Sequence, residues 1–444
     1  MSRKYFGTDG IRGVANEELT ALLAYTIGVS LGKMKDSPDF KVAIGGDTRL
    51  STDLFKTALT AGLLQQGIDV YDVGVMSTPA IIRYGESDFA YTVCITASHN
   101  PYYDNGIKII ERGGKKLSKE KEKFIEDYID KHETLRSLAE GPRITGRVFH
   151  RHQVAINEYL SFLENYIDFD LLKTLDITFD CANGATSEVI NRLVQDHNFS
   201  AKVINSSPNG KNINDHCGST CIKEQIEKKD FGKFFISYDG DGDRVQILTD
   251  DGVLFDGDRI IYFLARVMQV KEVLHNNGVA LTKMSNKGII EALKKHGITS
   301  YISNVGDSNV QKNILEYGLS LGGEESGHII YRPALLTGDG VLVSFIFLMS
   351  YLLYASLFKE AKEVKLFPRD YFVKRFNNQK GSETYFNLKD LSTYEQKRNE
   401  VLGSKGRLFI RMSGTEPVIR FLIEGENQKI VEEEKNLLNH LLED

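Results

Sequence analysis

Three stretches of the sequence repeat one pattern, and this pattern restricts the fold more than any other feature. In each, two β-rich runs are followed by a third apolar run that stops at a dense polar motif, with a helical pattern after the first run. The third runs are TVCITASHNP (92–101), FFISYDGDGDR (234–244) and LSLGGEESGH (319–328). Strands that alternate with helices predict right-handed βαβ units. Ligands of such sheets bind at the carboxyl ends of the strands, where all three motifs lie.

The rest of the chain predicts a different unit. Residues 406–425 read as two strands joined by a polar loop, and a charged amphipathic helix follows. Since 444 residues exceed what one core accommodates, several domains are expected. We predict an α/β protein with three consecutive α/β domains with mixed, mostly parallel sheets, and a smaller C-terminal α+β domain, around a central cleft. The predicted domains are 1–150, 151–252, 253–365 and 366–444.

Composition excludes some classes of protein. A net charge of −6 and a pI near 6.0 argue against a nucleic-acid partner. Four cysteines in a chain of this length do not form a disulfide framework, and they favour a reducing, cytoplasmic location. Cys217 and Cys221, beside His216, leave a zinc site as an alternative, which is disfavoured because no second ligand pair follows.

One uncharged stretch, GVLVSFIFLMSYLLYASLF (340–358), is barely long enough to span a bilayer. Serine and tyrosine residues interrupt it, which is more typical of a buried helix in a large α/β domain. We therefore predict a buried helix there and no membrane partner.

The motif DGDGDR is the strongest signal for a metal. Asp239, Asp241 and Asp243 alternate with glycines, which can adopt the positive φ that would turn the three carboxylates inward. Oxygen ligands of this kind suit Mg²⁺. An EF-hand is excluded because its sixth position would be Arg244 instead of glycine. A solvated acidic turn is the remaining alternative.

Ser98 ends an apolar run, with His99 beside it and Lys108 ten residues later. If the Ser98 hydroxyl carried a phosphate, a phosphate oxygen could complete the metal shell. His99 and Lys108 would then assist proton movement, and Lys108 would need a lowered pKa to act as a base. An N-capping serine is one alternative. A serine hydrolase is another, although the chain has no G-x-S-x-G elbow.

The loop RMSGTEPVIR (411–420) predicts a phosphate clamp without a nucleotide-type phosphate loop. It combines forked guanidinium groups with hydroxyls and exposed backbone N–H groups. These groups belong to Arg411, Ser413, Gly414, Thr415 and Arg420. A hairpin turn with incidental arginines is the alternative.

The motif GGEESGH contributes Glu324, Ser326 and His328 beside glycines. A carboxylate that accepts hydrogen bonds from adjacent hydroxyls can recognise a sugar, although Glu324 could also be a buried structural acid. Four predicted features now stand together: a metal site, a phosphoserine, a phosphate clamp and a motif that binds sugar hydroxyls. Together they indicate an enzyme that moves phosphate between two positions of one sugar.

The motifs TASHNP, DGDGDR, GEESGH and RMSGTEP, in this order, resemble the α-D-phosphohexomutase superfamily over the whole chain. The opening KYFGTDGIRG and the stretch GKNINDHCGS most resemble the bacterial members that act on glucosamine phosphate. The resemblance implies roles by position. Ser98 is the phosphorylated serine, and Ser98, Asp239, Asp241 and Asp243 hold Mg²⁺; Arg12, His99, Lys108 and Arg244 surround the transferring phosphate; Glu324, Ser326 and His328 bind the sugar; and Arg411, Ser413, Gly414, Thr415 and Arg420 bind the other phosphate.

The implied reaction interconverts glucosamine 6-phosphate and glucosamine 1-phosphate through a 1,6-bisphosphate, upstream of UDP-N-acetylglucosamine and so of peptidoglycan. The implied cofactors are one Mg²⁺ per subunit and glucosamine 1,6-bisphosphate as intermediate and activator. The resemblance also implies a homodimer. Phosphomannomutase or phosphoglucomutase activity, or a non-catalytic sugar-phosphate-binding protein, are the alternatives.

The sequence departs from the superfamily's pattern in three places. Gly46 stands where relatives often have a basic residue, Ser308 and Asn309 replace a common Arg-Tyr pair, and Glu325 stands where glutamine is frequent. The Ser308–Asn309 change could alter substrate contacts or domain closure. None of the three touches the predicted metal or phosphate residues.

Overall fold

The structure is a computed structural model, which describes residues 5–7, 9–131, 141–228, 230–375, 388–412 and 418–443. Its strands are β1 (Phe6–Gly7), β2 (Gly10–Val14), β3 (Lys41–Gly46), β4 (Asp69–Val75), β5 (Tyr91–Ile95), β6 (Asp104–Glu111), β7 (Lys115–Lys116), β8 (Val148–His150), β9 (Ile177–Asp180), β10 (Ala201–Ile204), β11 (Phe234–Tyr238), β12 (Val245–Thr249), β13 (Leu254–Phe255), β14 (Gly278–Thr282), β15 (Thr299–Ser303), β16 (Leu321–Gly323), β17 (Ile329–Tyr331), β18 (Arg369–Arg375), β19 (Gly406–Met412) and β20 (Val418–Gly425). Its α-helices are α1 (Ala21–Lys33), α2 (Thr52–Gln65), α3 (Thr78–Gly85), α4 (Lys119–Lys131), α5 (His152–Glu164), α6 (Ser187–His197), α7 (Gln225–Lys228), α8 (Gly257–Val270), α9 (Lys287–Lys295), α10 (Asp307–Glu316), α11 (Gly340–Leu353), α12 (Ala355–Glu363), α13 (Leu388–Leu402) and α14 (Gln428–Glu443).

The chain forms two compact units. The larger unit comprises Met1–Met284 and Thr299–Lys362, and the smaller comprises Ser285–Ile298 and Glu363–Asp444. The predicted domain boundaries stay a prediction, as does the central cleft. The last strand of the second sheet, β13, lies just past the predicted boundary at 252.

The first sheet of the larger unit has the strand order β1-β2-β6-β5-β3-β4-β8, with β7 paired to β6. Strands β5, β3, β4 and β8 run parallel, whereas β6 runs antiparallel to β5 and β2. The apolar face of α1, with apolar residues of the central strands, forms its core. This sheet places Cys94 on β5 directly opposite Lys108 on β6. The lysine therefore lies one strand away from the end of β5, where Ser98 follows.

The second and third sheets, also in the larger unit, repeat this plan on a smaller scale. Their orders are β10-β9-β11-β12-β13 and β15-β14-β16-β17. In each order, the first three strands are parallel and the remaining pairs are antiparallel. Buried β11 ends at Tyr238, before the aspartate motif, and buried β16 ends at Gly323, before Glu324. The prediction of mixed sheets whose strands end at the motifs is confirmed.

Helix α11 lies buried, as the sequence predicts. Its Phe345 and Phe347 pack against aromatic residues of the second sheet, including Phe179 and Phe234. Asp339 caps this helix by accepting a hydrogen bond from the Leu342 N–H at 3.0 Å. In the described residues, no single helix is long and apolar enough to cross a membrane; α11 and α12 meet that test only as a pair bent by 110°.

The smaller unit contains the antiparallel sheet β18-β20-β19. Helices α13 and α14 contribute Leu391, Val431 and Leu438 to a core with Phe421 and Ile423 of β20. This matches the predicted small α+β fold.

Candidate active site

Ser98 lies in a constrained turn just beyond β5. Its side chain is buried and its φ is 55°, in the left-handed region that non-glycine residues rarely adopt. The Ser98 N–H donates to Thr96 Oγ1 at 2.8 Å. Strain of this kind persists only where the surroundings hold it, and it is concentrated at functional sites.

The Ser98 hydroxyl points at the metal motif. Its Oγ donates to Asp239 Oδ2 at 2.7 Å and lies 3.2 Å from His99 Nδ1. Ser98 and Asp239 are 141 residues apart on the chain. The sequence predicts that this hydroxyl and the aspartate motif lie together.

Asp239, Asp241 and Asp243 are all buried, and each offers a carboxylate oxygen within 4.8 Å of the others. Within the part of the chain that the structure describes, they form the one group of three or more potential metal ligands. Gly242 has the expected positive φ of 70°. Gly240 does not: its backbone is outside that region, and a Cβ there would approach the Ser98 carbonyl oxygen to 2.7 Å. The expected positive φ is therefore wrong for Gly240, where glycine is needed because the Ser98 backbone lies so close.

Lys108 reaches the same carboxylates from β6. Its Nζ donates to Asp241 Oδ2 at 2.8 Å and to Asp243 Oδ2 at 3.1 Å, and it lies 3.1 Å from Asp9 Oδ2. Burial lowers the pKa of Lys108, but the three carboxylates outweigh burial and hold the pKa well above its usual value. This is the opposite of the lowered pKa that a general base would need, so Lys108 is a fixed positive charge in this structure.

The pKa values of Asp239 and Asp243 are shifted in opposite directions. Burial and the neighbouring Asp243 and Asp241 raise the pKa of Asp239 well above its usual value. Burial also raises the pKa of Asp243, yet Lys108 outweighs it and holds that pKa below the usual range. Without a bound metal ion, the shift favours the protonated form of Asp239. A bound cation would favour its ionised form, since metal binding displaces protons from its ligands.

The residues present fit a divalent metal. Asp241 Oδ1 and Asp243 Oδ1 are buried and have no hydrogen-bond partner, although the second oxygen of each carboxylate contacts Lys108. Buried acceptors without partners are rare and costly. Two such oxygens within one cluster of hard ligands are the donor set that Mg²⁺ prefers.

Arg12 and Arg244 bring positive charge to the same place. Arg244 Nε lies 4.0 Å from Asp239 Oδ2 and 3.8 Å from Asp243 Oδ1, and Arg12 donates to Asp9 Oδ2 at 2.7 Å. The Nε of both arginines is buried without a hydrogen-bond acceptor. Donors of this kind can bind the oxygens of a phosphate.

His99 is neutral at physiological pH. Burial, followed by the positive charges of Arg244 and Arg12, lowers the pKa of His99 to about 3. Its ring can therefore accept a proton but does not carry one in this state.

The loop at 324–328 begins at the carboxyl end of β16. Glu324 Oε1 accepts from the Gly306 N–H at 2.9 Å, and Ser326 is half-buried. Buried His328 pairs with Arg244 through an isolated β-bridge, and its Nε2 accepts from the Gly338 N–H at 3.3 Å. The structure thus joins this loop to the aspartate motif.

Comparisons with known proteins agree with this architecture. Phosphoglucomutase/phosphomannomutase profiles match at residues 3–136 for α/β/α domain I, 256–364 for α/β/α domain III and 373–440 for the C-terminal domain. The protein named phosphoglucosamine mutase of Caldicellulosiruptor saccharolyticus is 39% identical, with 99% of both chains covered. That of Clostridioides difficile is 37% identical over 100% of this chain and 99% of its own. The chain belongs to the phosphoglucosamine mutase family.

Solved structures show the fold of the wider superfamily. A phosphoglucomutase/phosphomannomutase family protein of Burkholderia thailandensis has a TM-score of 0.78 at 20% identity, covering 98% of this chain and 96% of its own. An N-acetylglucosamine-phosphate mutase in its product complex has a TM-score of 0.65 at 18% identity, covering 99% and 96%.

Two residues that contact the predicted site residues were not predicted from the sequence. Asp9 contacts Lys108, Lys116 and Arg12; burial raises its pKa, but these cations outweigh burial and hold the pKa well below its usual value. Thr78 Oγ1 donates to Asp241 Oδ2 at 2.7 Å. Asp9 lies in the quoted KYFGTDGIRG segment, which is a usable signal, whereas a threonine 163 residues before its partner gives none.

The predicted phosphate clamp lies in the smaller unit and is only partly described. Arg411 on β19 and Arg420 on β20 are directly opposite each other. Like charges at such positions destabilise a sheet, and a bound anion would offset this cost. Ser413, Gly414 and Thr415 lie outside the described residues.

Proposed function

We propose that this protein is a phosphoglucosamine mutase, which interconverts glucosamine 6-phosphate and glucosamine 1-phosphate through a phosphoserine at Ser98 and a 1,6-bisphosphate. The observation that carries the proposal is the hydroxyl of Ser98, held 2.7 Å from Asp239 within a cluster of three buried aspartates. Relatives with that name, 37–39% identical over nearly the whole chain, support the choice of glucosamine phosphate. We further propose a homodimer that acts in the cytoplasm, upstream of UDP-N-acetylglucosamine.

The reaction would consist of two transfers. In the first, the bond between phosphorus and Ser98 Oγ breaks while a bond forms between phosphorus and the oxygen of a free sugar hydroxyl. The sugar hydroxyl gives up its proton, and Ser98 Oγ takes up a proton to leave as a hydroxyl. The bisphosphate then reorients, and Ser98 Oγ loses its proton as it accepts the phosphate from the other position. The bond between phosphorus and that sugar oxygen breaks, and the sugar oxygen takes up a proton. The enzyme's phosphate is restored, so the net reaction moves one phosphate.

Ser98, Asp239, Asp241 and Asp243 would hold Mg²⁺. When bound, the ion polarises the phosphate and balances its charge. Arg12 and Arg244 would add guanidinium donors to the phosphate oxygens.

His99 is the better candidate for proton transfer, since Lys108 is held as a cation. The ring nitrogen is already 3.2 Å from Ser98 Oγ. A phosphate on Ser98 would add negative charge beside the ring and raise the pKa of His99 from its low value. Lys108 would instead fix the carboxylates and balance their charge.

The remaining residues would bind the rest of the substrate. Glu324, Ser326 and His328 would contact the sugar hydroxyls. Arg411 and Arg420, with Ser413, Gly414 and Thr415, would bind the phosphate that is not transferred.

Purified protein tests the proposal directly. With Mg²⁺ and a hexose 1,6-bisphosphate supplied, we expect turnover of glucosamine 6-phosphate, and intact-mass analysis should show one phosphate. Ser98→Ala should lose that phosphate and at least about 10³-fold in turnover. Ser30→Ala, which changes a buried serine of α1, is the matched control. Absence of turnover on glucosamine, glucose and mannose phosphates would contradict the proposal, and faster turnover of glucose or mannose 6-phosphate would change the substrate assigned.

A further inference from the structure

We propose that Arg49 is a positioning residue for the reaction: its guanidinium fixes the backbone of the Ser98 loop, and so fixes the direction of the hydroxyl that carries the phosphate. This inference rests on the proposed function, because it takes from that proposal the phosphate that Ser98 carries. It concerns a residue that has no contact with the three aspartates and that the sequence motifs do not single out.

The Arg49 guanidinium lies beneath the loop with its side chain fully buried. Its Nη2 donates to the carbonyl oxygens of Ser98 and Asn100, each at 2.9 Å. Its Nη1 donates to the carbonyls of Pro101 and Asp104, the latter at 3.0 Å. One planar group therefore collects four carbonyl oxygens of a single seven-residue segment, 98–104.

A carboxylate completes the arrangement. Arg49 Nε donates to Asp47 Oδ2 at 2.9 Å, and the same oxygen accepts from Thr96 Oγ1 at 2.6 Å. Thr96 Oγ1 in turn accepts from the Ser98 N–H. The buried ion pair is thus hydrogen-bonded to both sides of the serine, which offsets the cost of burying charge.

A second side chain donates to two of the same carbonyls. Asn214 Nδ2 donates to the Ser98 carbonyl at 2.9 Å and to the Asn100 carbonyl at 3.0 Å. Asn214 lies in the segment between β10 and β11, so the loop of the first sheet is held from the region of the second. Two independent donors on the same pair of oxygens indicate that the position of this backbone matters.

The strained backbone of Ser98 explains the need for this clamp. A left-handed conformation of a non-glycine residue is strained and persists only when its surroundings over-determine it. Arginine presents five N–H donors in a rigid fork, whereas lysine has one nitrogen with three. Lysine at position 49 would retain the charge but could not reach all four carbonyls and Asp47.

The test is Arg49→Lys, compared with Arg259→Lys. Arg259 is also buried and donates from Nη1 to the carbonyls of Ala361 and Lys362, so its replacement has a similar structural cost away from Ser98. For Arg49→Lys we expect kcat to fall about 100-fold with the KM for glucosamine 6-phosphate within about threefold, since the loop moves while the sugar contacts stay. Incorporation of phosphate on Ser98 from a hexose bisphosphate should slow by a similar factor.

The outcomes separate this inference from the proposed function. Wild-type protein that takes no phosphate on Ser98 would contradict both. Active wild-type protein with an Arg49→Lys variant of unchanged kcat would overturn the inference alone, as would equal losses of kcat in the two lysine variants at equal melting temperature.

If Arg49→Lys does not fold, Asn214→Ala tests the same two carbonyls. We expect a fall in kcat of about tenfold, again without a matching change in KM. An Asn214→Ala enzyme with wild-type kcat would overturn the inference.

Discussion

The site contains two regions that are held in different ways. Around Ser98, the described contacts join charged and polar side chains from several elements, as when Lys108 contacts Asp241, Asp243 and Asp9. In the loop at 324–328, most described contacts are made by the backbone: the Glu324 N–H donates to the His328 carbonyl at 3.0 Å, and the Gly327 N–H to the Glu324 carbonyl at 3.0 Å.

This difference indicates a division of labour. Buried charges fixed by several partners are preorganised, which is what stabilisation of a transition state requires. A loop positioned through its backbone keeps its side chains available to the substrate. We therefore expect changes around Ser98 to lower the rate and changes in the loop at 324–328 to weaken substrate binding.

Asp241→Asn should have the largest effect and tests the first half of the comparison. It removes one charge from the metal group, weakens the contact with Lys108 and changes an oxygen that Thr78 also contacts. We expect turnover to fall at least about 100-fold. Mg²⁺ at about 100 times its Kd should stabilise the wild-type protein by about 2.7 kcal/mol and the variant by much less.

Asp251→Asn is the matched control for this change. Asp251 is an exposed acid in the same unit, paired with Lys362. Thermal melting with and without Mg²⁺ should give the same shift for this control as for wild type. If Mg²⁺ raised the melting temperature of the Asp241→Asn protein as much as that of wild type, Mg²⁺ would not bind at the proposed site.

Glu324→Gln should have a smaller effect, mainly on KM. The amide can still accept from the Gly306 N–H, so the loop should keep its shape. Loss of a charged hydrogen bond to a sugar hydroxyl corresponds to about 1.5–3 kcal/mol, so the KM for glucosamine 6-phosphate should rise about 10- to 100-fold with little change in kcat. Glu325→Gln introduces the residue frequent among relatives and should stay within about twofold of wild type in both constants. A fall confined to kcat in Glu324→Gln would break the division of labour.

The sequence was sufficient to predict that polar motifs at the ends of apolar strands lie near one another. Ser98 and the three aspartates are brought together because β5 and β11 end where the motifs begin. Thr78 could not be predicted, since only the packing of two different sheets brings it to Asp241. Arg49 and Ser98 follow the neighbouring parallel strands β3 and β5, but the sequence does not show that the Arg49 guanidinium turns toward the Ser98 carbonyl. The direction in which the pKa of Lys108 is shifted also could not be predicted from the sequence, because it depends on how many carboxylates surround the nitrogen.

A buried acid without a cation sharpens the comparison further, with the smallest expected effect. Asp339 is as buried as Asp241, but its described partners are the Tyr159 hydroxyl and backbone N–H groups of α11, and burial raises its pKa to about 6. Asp243, beside Lys108, has its pKa shifted the other way. Two buried acids thus have pKa values shifted in opposite directions, according to whether a cation lies beside the carboxylate.

Asp339→Asn tests this contrast through the pH dependence of stability. Because the folded-state pKa of Asp339 is raised, the folded protein binds more protons than the unfolded chain between about pH 4 and pH 6, and its stability falls as pH rises through that range. Asparagine does not titrate, so the free energy of unfolding of the variant should improve relative to wild type from about pH 4.5 to about pH 7.5, by at most about 3 kcal/mol. Urea unfolding of both proteins at each pH measures this difference, in which the other titrating groups cancel. A difference that is constant with pH would mean that Asp339 is ionised throughout, and that neutral partners suffice to keep a charge in this core.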